Sequence, residues 1–215
     1  MTATDPGCFI TVEGLDGSGK TTQAGLLAEE LSREGHRVTV VRDPGTTALG
    51  ERIRELLLEP VGDRALEDWA ETALFVAARV QLANEVIAPA LAQGTVVVSD
   101  RYLDSTLAYQ GARGVPWEGI LELHRVCGFD RMPDLTLILD LPVATARARR
   151  SGTQPQDRME LEPNHYHERV RSGFLEVARR FPERAVVLQA DQAPDEVARE
   201  CQRLAREVLA SRRVG

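Results

Sequence analysis

The segment Gly14-Leu15-Asp16-Gly17-Ser18-Gly19-Lys20-Thr21 constrains the fold of this chain more than any other feature. It satisfies G-x-x-x-x-G-K-[ST] at every fixed position, and its surroundings are those the motif needs. Cys8 to Glu13 is short, apolar and β-branched and reads as a strand. Lys20 to Glu34 reads as a helix stopped by Gly35. A loop that links strand to helix in this way turns backbone N–H groups and the positive helix end toward an anion. Lys20 supplies a compact charge for β- and γ-phosphates, and Thr21, followed by Thr22, offers a hydroxyl to Mg²⁺. The loop therefore implies a nucleoside triphosphate site. It leaves the second substrate open.

The rest of the chain alternates in the same manner. Further strands are expected at Val38–Val41, Thr95–Val98, Leu135–Leu141 and Ala185–Leu188. These runs are almost continuously aliphatic, as strands are when helices cover both faces of a parallel sheet. Helices are expected at 48–58, 68–93, 103–112, 117–127, 143–150, 164–181 and 194–211. In the longest, Asp68 with Glu71 resembles a capping box, and Pro89 should kink the end. The expectation is an α/β fold, a doubly wound five-stranded parallel sheet with helices on both faces, forming a single domain over residues 1–215.

Composition narrows the function. Of 26 basic residues only Lys20 is a lysine, and the net charge is -7. A guanine-specific switch protein carries N-K-x-D for the base, which needs a second lysine. Partitioning ATPases carry a lysine near the start of the loop, where this chain has Leu15. A motor or transporter ATPase exceeds one domain. Small-molecule kinases remain. The acidic balance argues against nucleic acid as a partner. No apolar run approaches the roughly 18 residues of a membrane span, and Met1 to Cys8 lacks a basic n-region and an apolar h-region. Cys8, Cys127 and Cys201 read as buried thiols in a reducing cytoplasm, and His36, His124, His165 and His167 as structural or solvated.

Two further features bear on the second substrate. Asp100-Arg101-Tyr102 follows the third strand, where a carboxylate at a strand end can hold Mg²⁺ and an arginine can grip a phosphate bidentately. Ser151 to Asp157 is polar, with Gly152 and Pro155, and Arg147, Arg149, Arg150 and Arg158 flank it. It reads either as a cationic lid, about 147–160, or as an ordinary solvated loop.

With these pieces the chain resembles the bacterial thymidylate kinases. The matching segments are Glu13 to Thr22, Arg42-Asp43-Pro44-Gly45, Phe75-x-x-x-Arg79, Asp100 to Gly111, Pro133 to Asp140, Asp157-Arg158-x-Glu160 and Tyr166-x-x-Arg169-Val170-Arg171, in family order across nearly the whole chain. The resemblance implies a P-loop nucleoside-monophosphate kinase fold, with transfer of the γ-phosphoryl group of ATP to dTMP, and a cytoplasmic homodimer. It implies that Phe75 stacks on thymine and Arg79 reaches a base carbonyl. It gives Arg101 the 5′-phosphate, and Ser105, Thr106 and Gln110 the base. Tyr109 crowds the 2′ position, and Asp16 meets the 3′-hydroxyl or the metal. Where some members carry an arginine inside the loop, this chain has Gly17 and Ser18. The expected substitute is Arg149, Arg150 or Arg158, closing over the ATP phosphates from the lid. The family's Arg-Glu-Pro-Gly-Gly-Thr reads Arg42-Asp43-Pro44-Gly45-Thr46-Thr47 here, which leaves Arg42 a weak candidate for the phosphate end.

Overall fold

Five aliphatic runs become five parallel strands. The structure, a computed structural model, describes residues 7–59, 66–127, 131–150, 158–159 and 161–212. The strands are β1 (Cys8–Gly14), β2 (Val38–Arg42), β3 (Val96–Asp100), β4 (Leu135–Asp140) and β5 (Ala185–Gln189). They form one sheet in the order β2-β3-β1-β4-β5. The central strands β1, β3 and β4 are buried along their whole length, which explains why no polar alternation marks them. β1 pairs β3 from Cys8↔Val96 to Val12↔Asp100, and pairs β4 from Ile10↔Leu135 to Gly14↔Leu139. This register brings the carboxyl ends of β1 and β3 together, so the phosphate loop and Asp100-Arg101 emerge side by side.

The helices are α1 (Lys20–Arg33), α2 (Ala48–Leu58), α3 (Asp68–Leu82), α4 (Ala88–Ala92), α5 (Leu103–Ala112), α6 (Trp117–Val126), α7 (Val143–Arg150), α8 (Asn164–Arg180) and α9 (Pro194–Arg212). The helix expected over 68–93 is interrupted by a π turn at Ala83–Ile87 between α3 and α4. Pro89, lacking an N–H, sits at the start of α4, and the wider turn before it absorbs the missing donor. Among the described residues, the run Asp68–Ala92 is long and apolar enough by length and composition to cross a membrane, contrary to expectation. Its Glu71 and Arg79 are nevertheless buried and paired with other elements of the fold. Its Leu82, Ala83 and Ile87 belong to the core.

Other details depart from the sequence reading. Glu71 does not cap α3; the N-cap position is Glu67, without a side-chain bond, and Glu71 turns inward. Cys127 is exposed, whereas Cys8 and Cys201 are buried. His124 and His167 are buried, and burial pushes the His124 imidazole down to about 4. Arg184 is buried too.

Candidate active site

The phosphate loop is shaped by close backbone approach. Gly14 and Gly17 have φ of 137° and 86°. A Cβ on Gly14 would lie 2.5 Å from the Leu139 carbonyl oxygen, and one on Gly17 would overlap the Ala146 carbonyl. Only glycine fits either place. Gly19, also left-handed, stands at the N-cap of α1, and Lys20 opens that helix. The Lys20 ammonium is buried and donates to the Leu15 carbonyl at 2.8 Å. Burial and the Arg101 charge push it down to about 8, against the pull of Asp16, Asp100 and Glu13. A cation held in such surroundings gains most when a phosphate arrives. Thr21 Oγ1 donates to Asp100 Oδ2 at 2.5 Å. A hydroxyl and a carboxylate beside a phosphate loop fit Mg²⁺, which keeps few protein ligands and takes the rest from phosphate and water. Among the described residues there is no cluster of three or more His, Cys, Asp or Glu that would hold a metal by itself.

Arg101 occupies the left-handed region at φ 70°, so its side chain leaves β3 toward the loop rather than along the strand. Its guanidinium pairs with Asp16, donates to Ser105 Oγ at 3.0 Å and to the Gly14 carbonyl at 3.2 Å, and lies 5.1 Å from the centroid of the Tyr109 ring. Tyr109 OH donates to Asp16 Oδ2 at 2.9 Å. Burial disfavours charge on Asp16, yet Arg101, Lys20 and Tyr109 hold its carboxyl well below the usual range. Behind them, Glu13 accepts from the Tyr102 backbone N–H at 2.7 Å and from Ser105 Oγ at 2.5 Å, fixing the start of α5.

Beyond Arg101 a cleft opens, lined by Phe75, Arg79, Ser105, Thr106, Tyr109 and Gln110 among others. Phe75 is half-buried on its wall. Arg79 is buried. It donates from Nε to Asp43 Oδ2 at 2.6 Å and from Nη2 to Thr106 Oγ1 at 2.7 Å. Its Nη1 and the Oδ1 of Asp43 are buried without hydrogen-bond partners. Burial pushes the Asp43 carboxyl up, opposed by Arg79.

Most of the residues expected from sequence thus meet around one space: Asp16, Lys20 and Arg101 at one end, and Phe75, Arg79, Thr106, Tyr109 and Gln110 at the other. The lid residues divide. Arg149 donates to the Ala190 carbonyl at 2.7 Å. Arg158 departs from expectation: it pairs with Glu71 and donates to the Leu57 carbonyl at 3.2 Å, so its guanidinium lies on the α2–α3 side, away from the phosphate loop. The stretch 151–157 and Glu160 fall outside the described residues. Arg42, the weak candidate, is taken by Glu51 at 2.9 Å. Sequence reasoning missed Glu71, Asp43 and Glu13 as site residues. Glu71 had a signal, since Glu71, Phe75 and Arg79 recur every four residues on one helical face.

A parallel α/β sheet with a lysine-bearing phosphate loop on its first strand, and an arginine-walled cleft beside it, defines a P-loop kinase. Comparison with known proteins makes this specific. The thymidylate kinase family model matches residues 12–201. A thymidylate kinase of Pelotomaculum thermopropionicum is 47% identical over 206 residues, covering 94% of each chain. One of Cereibacter sphaeroides is 48% identical, covering 93% of this chain and 94% of the relative. The crystal structure of thymidylate kinase from Ehrlichia chaffeensis superposes with a TM-score of 0.76 at 34% identity, covering 93% of this chain and 99% of that one. The chain belongs to the thymidylate kinase family.

Proposed function

We infer that this enzyme transfers the γ-phosphoryl group of ATP to dTMP, giving dTDP and ADP for dTTP synthesis. The observation that carries the reading is the shared cleft: a cationic end next to the phosphate loop, and a half-buried ring with polar groups at the other end. ATP phosphates take the loop from Gly14 to Thr22. The dTMP 5′-phosphate takes Arg101, and thymine takes Phe75, Arg79, Ser105, Thr106 and Gln110. Tyr109 stands at the sugar.

A 5′-phosphate oxygen of dTMP forms the new bond to the γ-phosphorus, and the bond from that phosphorus to the β–γ bridging oxygen breaks. The acceptor oxygen is already ionised, so no general base is needed. What the chain supplies is alignment of two anions and positive charge around them. Asp16 holds Arg101 in place before the acceptor phosphate competes for it. Lys20 gives charge to the phosphates of the donor. Thr21 and Asp100 would hold Mg²⁺, which supplies further charge neutralisation. Arg149 and Arg150, at the end of α7, stand where a lid over the donor would begin. Arg158 serves that role only if it leaves Glu71.

The whole of 1–215 acts as one kinase domain, with 147–160 as its lid, in the cytoplasm and without nucleic-acid or membrane partners. A homodimer forms on the α2–α3 face, where Leu49, Leu56 and Trp69 are exposed. The test is a coupled assay across dTMP, dUMP, dCMP, dGMP and AMP, with Lys20→Ala as control. The expected result is preference for dTMP and a turnover lowered at least about 10²-fold by Lys20→Ala with the fold intact. Equal or better turnover on a purine monophosphate would overturn the reading.

A further inference from the structure

Glu71 sits four residues before Phe75 and eight before Arg79 on α3, and it is buried. Its Oε1 accepts from Gln110 Nε2 at 2.9 Å, and its Oε2 accepts from Arg158. Arg113 Nε lies 3.6 Å from the same carboxylate. A carboxylate facing two guanidinium groups has only acceptors to offer, and guanidinium has only donors. The Gln110 amide can therefore meet Glu71 in one orientation, with its NH₂ toward the carboxylate. That leaves Gln110 Oε1 as the amide atom available to a ligand, and among the described residues nothing donates to it. On the same cleft Arg79 Nη1 is a buried donor without a partner.

The cleft wall so presents Arg79 Nη1 as a free donor with Gln110 Oε1 as a free acceptor, and the Asp43 Oδ1 acceptor is likewise unpartnered. A pyrimidine with a 4-keto group and an N3–H presents the complement, an acceptor beside a donor. A 4-amino pyrimidine presents the inverse, and would leave buried polar groups facing their own kind. We propose that Glu71 is a specificity-determining positioning residue, which makes the cleft select 4-keto over 4-amino pyrimidines by fixing the direction of the Gln110 amide. The proposal rests on the reading of this cleft as the dTMP site. It gives Arg158 a purpose: its bond to Oε2 pins the orientation of Glu71.

The substitution Glu71→Gln tests it, because Arg158, which bonds Oε2, decides which way the new amide turns, whereas Arg113 Nε stands 3.6 Å from Oε1 without a hydrogen bond. Arg158 can accept nothing, so the oxygen of the new side chain must face it and the NH₂ must face Gln110. Gln110 then flips and presents its own NH₂ to the cleft. Steady-state kcat/KM for dTMP and for dCMP would be measured in wild type, Glu71→Gln, Glu71→Asp, Gln110→Leu and the Glu71→Gln/Gln110→Leu double variant. Glu71→Gln is expected to narrow the dTMP-to-dCMP ratio at least about tenfold, mainly through KM for dTMP. Glu71→Asp, still acceptor-only, keeps the wild-type ratio, and Glu71→Gln adds nothing once Gln110 is leucine. A ratio within about threefold of wild type in Glu71→Gln, or an equal effect in the Gln110→Leu background, overturns the proposal. If Glu71→Gln does not fold, Glu71→Asp must keep the ratio and Gln110→Leu must lose it; any other result overturns it. Absence of dTMP turnover in wild type would instead defeat the substrate reading, so the two failures are distinguishable.

Discussion

Arg79 and Arg184 are both buried and each faces an aspartate, but one pair is saturated and the other is not. Arg184 bonds Asp104 through both amino groups, at 2.7 and 2.8 Å, and adds Thr136 Oγ1 at 2.8 Å; Thr136 also bonds Asp104. Arg79 meets Asp43 through one atom only, and leaves Nη1 and Asp43 Oδ1 without partners on a cleft wall. The same chemistry serves two ends. A saturated buried pair ties α5 to the starts of β4 and β5, with nothing left for a ligand. An unsaturated one carries an unmet cost that a ligand with the complementary atoms relieves.

The largest effect should come from the saturated pair. Arg184→Met leaves Asp104 buried and uncompensated, and about 3–5 kcal/mol of stability should be lost in urea unfolding. The kcat/KM of the protein that remains folded should stay within about threefold of wild type. A large loss of kcat/KM with little change in stability would break the comparison.

Arg79→Met should do the reverse. The kcat/KM for dTMP should fall at least about 10²-fold, on the scale of lost hydrogen bonds in a buried specificity site. Its stability loss should be smaller than that of Arg184→Met, because the Asp43 carboxyl is already shifted toward its neutral form. Thermal melts with dTMP check the same point from the binding side. Arg184→Met should still gain from the ligand, by roughly 2.7 kcal/mol at about 100 times its dissociation constant. Arg79→Met should gain little at that concentration.

Glu13 is buried near Asp104 of the saturated pair. Burial, then the charge of Asp104, raises it from 4.5 to about 8, while Ser105, Arg101 and the Tyr102 N–H pull the other way. The folded protein thus keeps a proton that the unfolded chain releases above pH 4.5. The stability linked to that proton is complete below pH 4.5 and fades as pH rises through about 8. Glu13→Gln removes this dependence, so the stability advantage of wild type over the variant should shrink between pH 5 and 8 in urea titrations. An advantage that stays flat or grows would contradict it.

The smallest effect concerns the loop before α2. Thr46 stands at φ 67°, where the family motif has glycine, and its Oγ1 accepts from the Arg42 N–H at 2.8 Å. The hydrogen bond offsets part of the left-handed cost. Thr46→Gly should therefore stabilise by no more than about 1 kcal/mol, with dTMP kinetics unchanged. A destabilised variant would mean that the bond outweighs the backbone strain.

Much of this was legible before any coordinates. The phosphate loop announced itself because backbone shape and one lysine are local properties, and the five strands because buried parallel strands are uniformly aliphatic. Phe75 and Arg79 were paired by helical spacing. Glu71 shared that face, yet its spacing from Asp68 resembled a capping box, and a short-range pattern cannot tell a carboxylate that caps from one that turns inward. Arg158 was placed with the lid by its neighbours in sequence, but its partners come from α3 and α2. Nothing local in the sequence marks Arg184 as buried, because its partner Asp104 is distant in the chain.

The sequence by itself determined the parallel α/β scaffold, the phosphate loop and the roster of charged residues able to serve two anionic substrates. These depend on local backbone rules and on which side chains exist at all. Tertiary structure alone decided which arginines are saturated and which remain open to a ligand. That depends on how many donors find acceptors when distant elements pack, and so on the placement of Asp43, Glu71 and Asp104 against Arg79, Arg158 and Arg184.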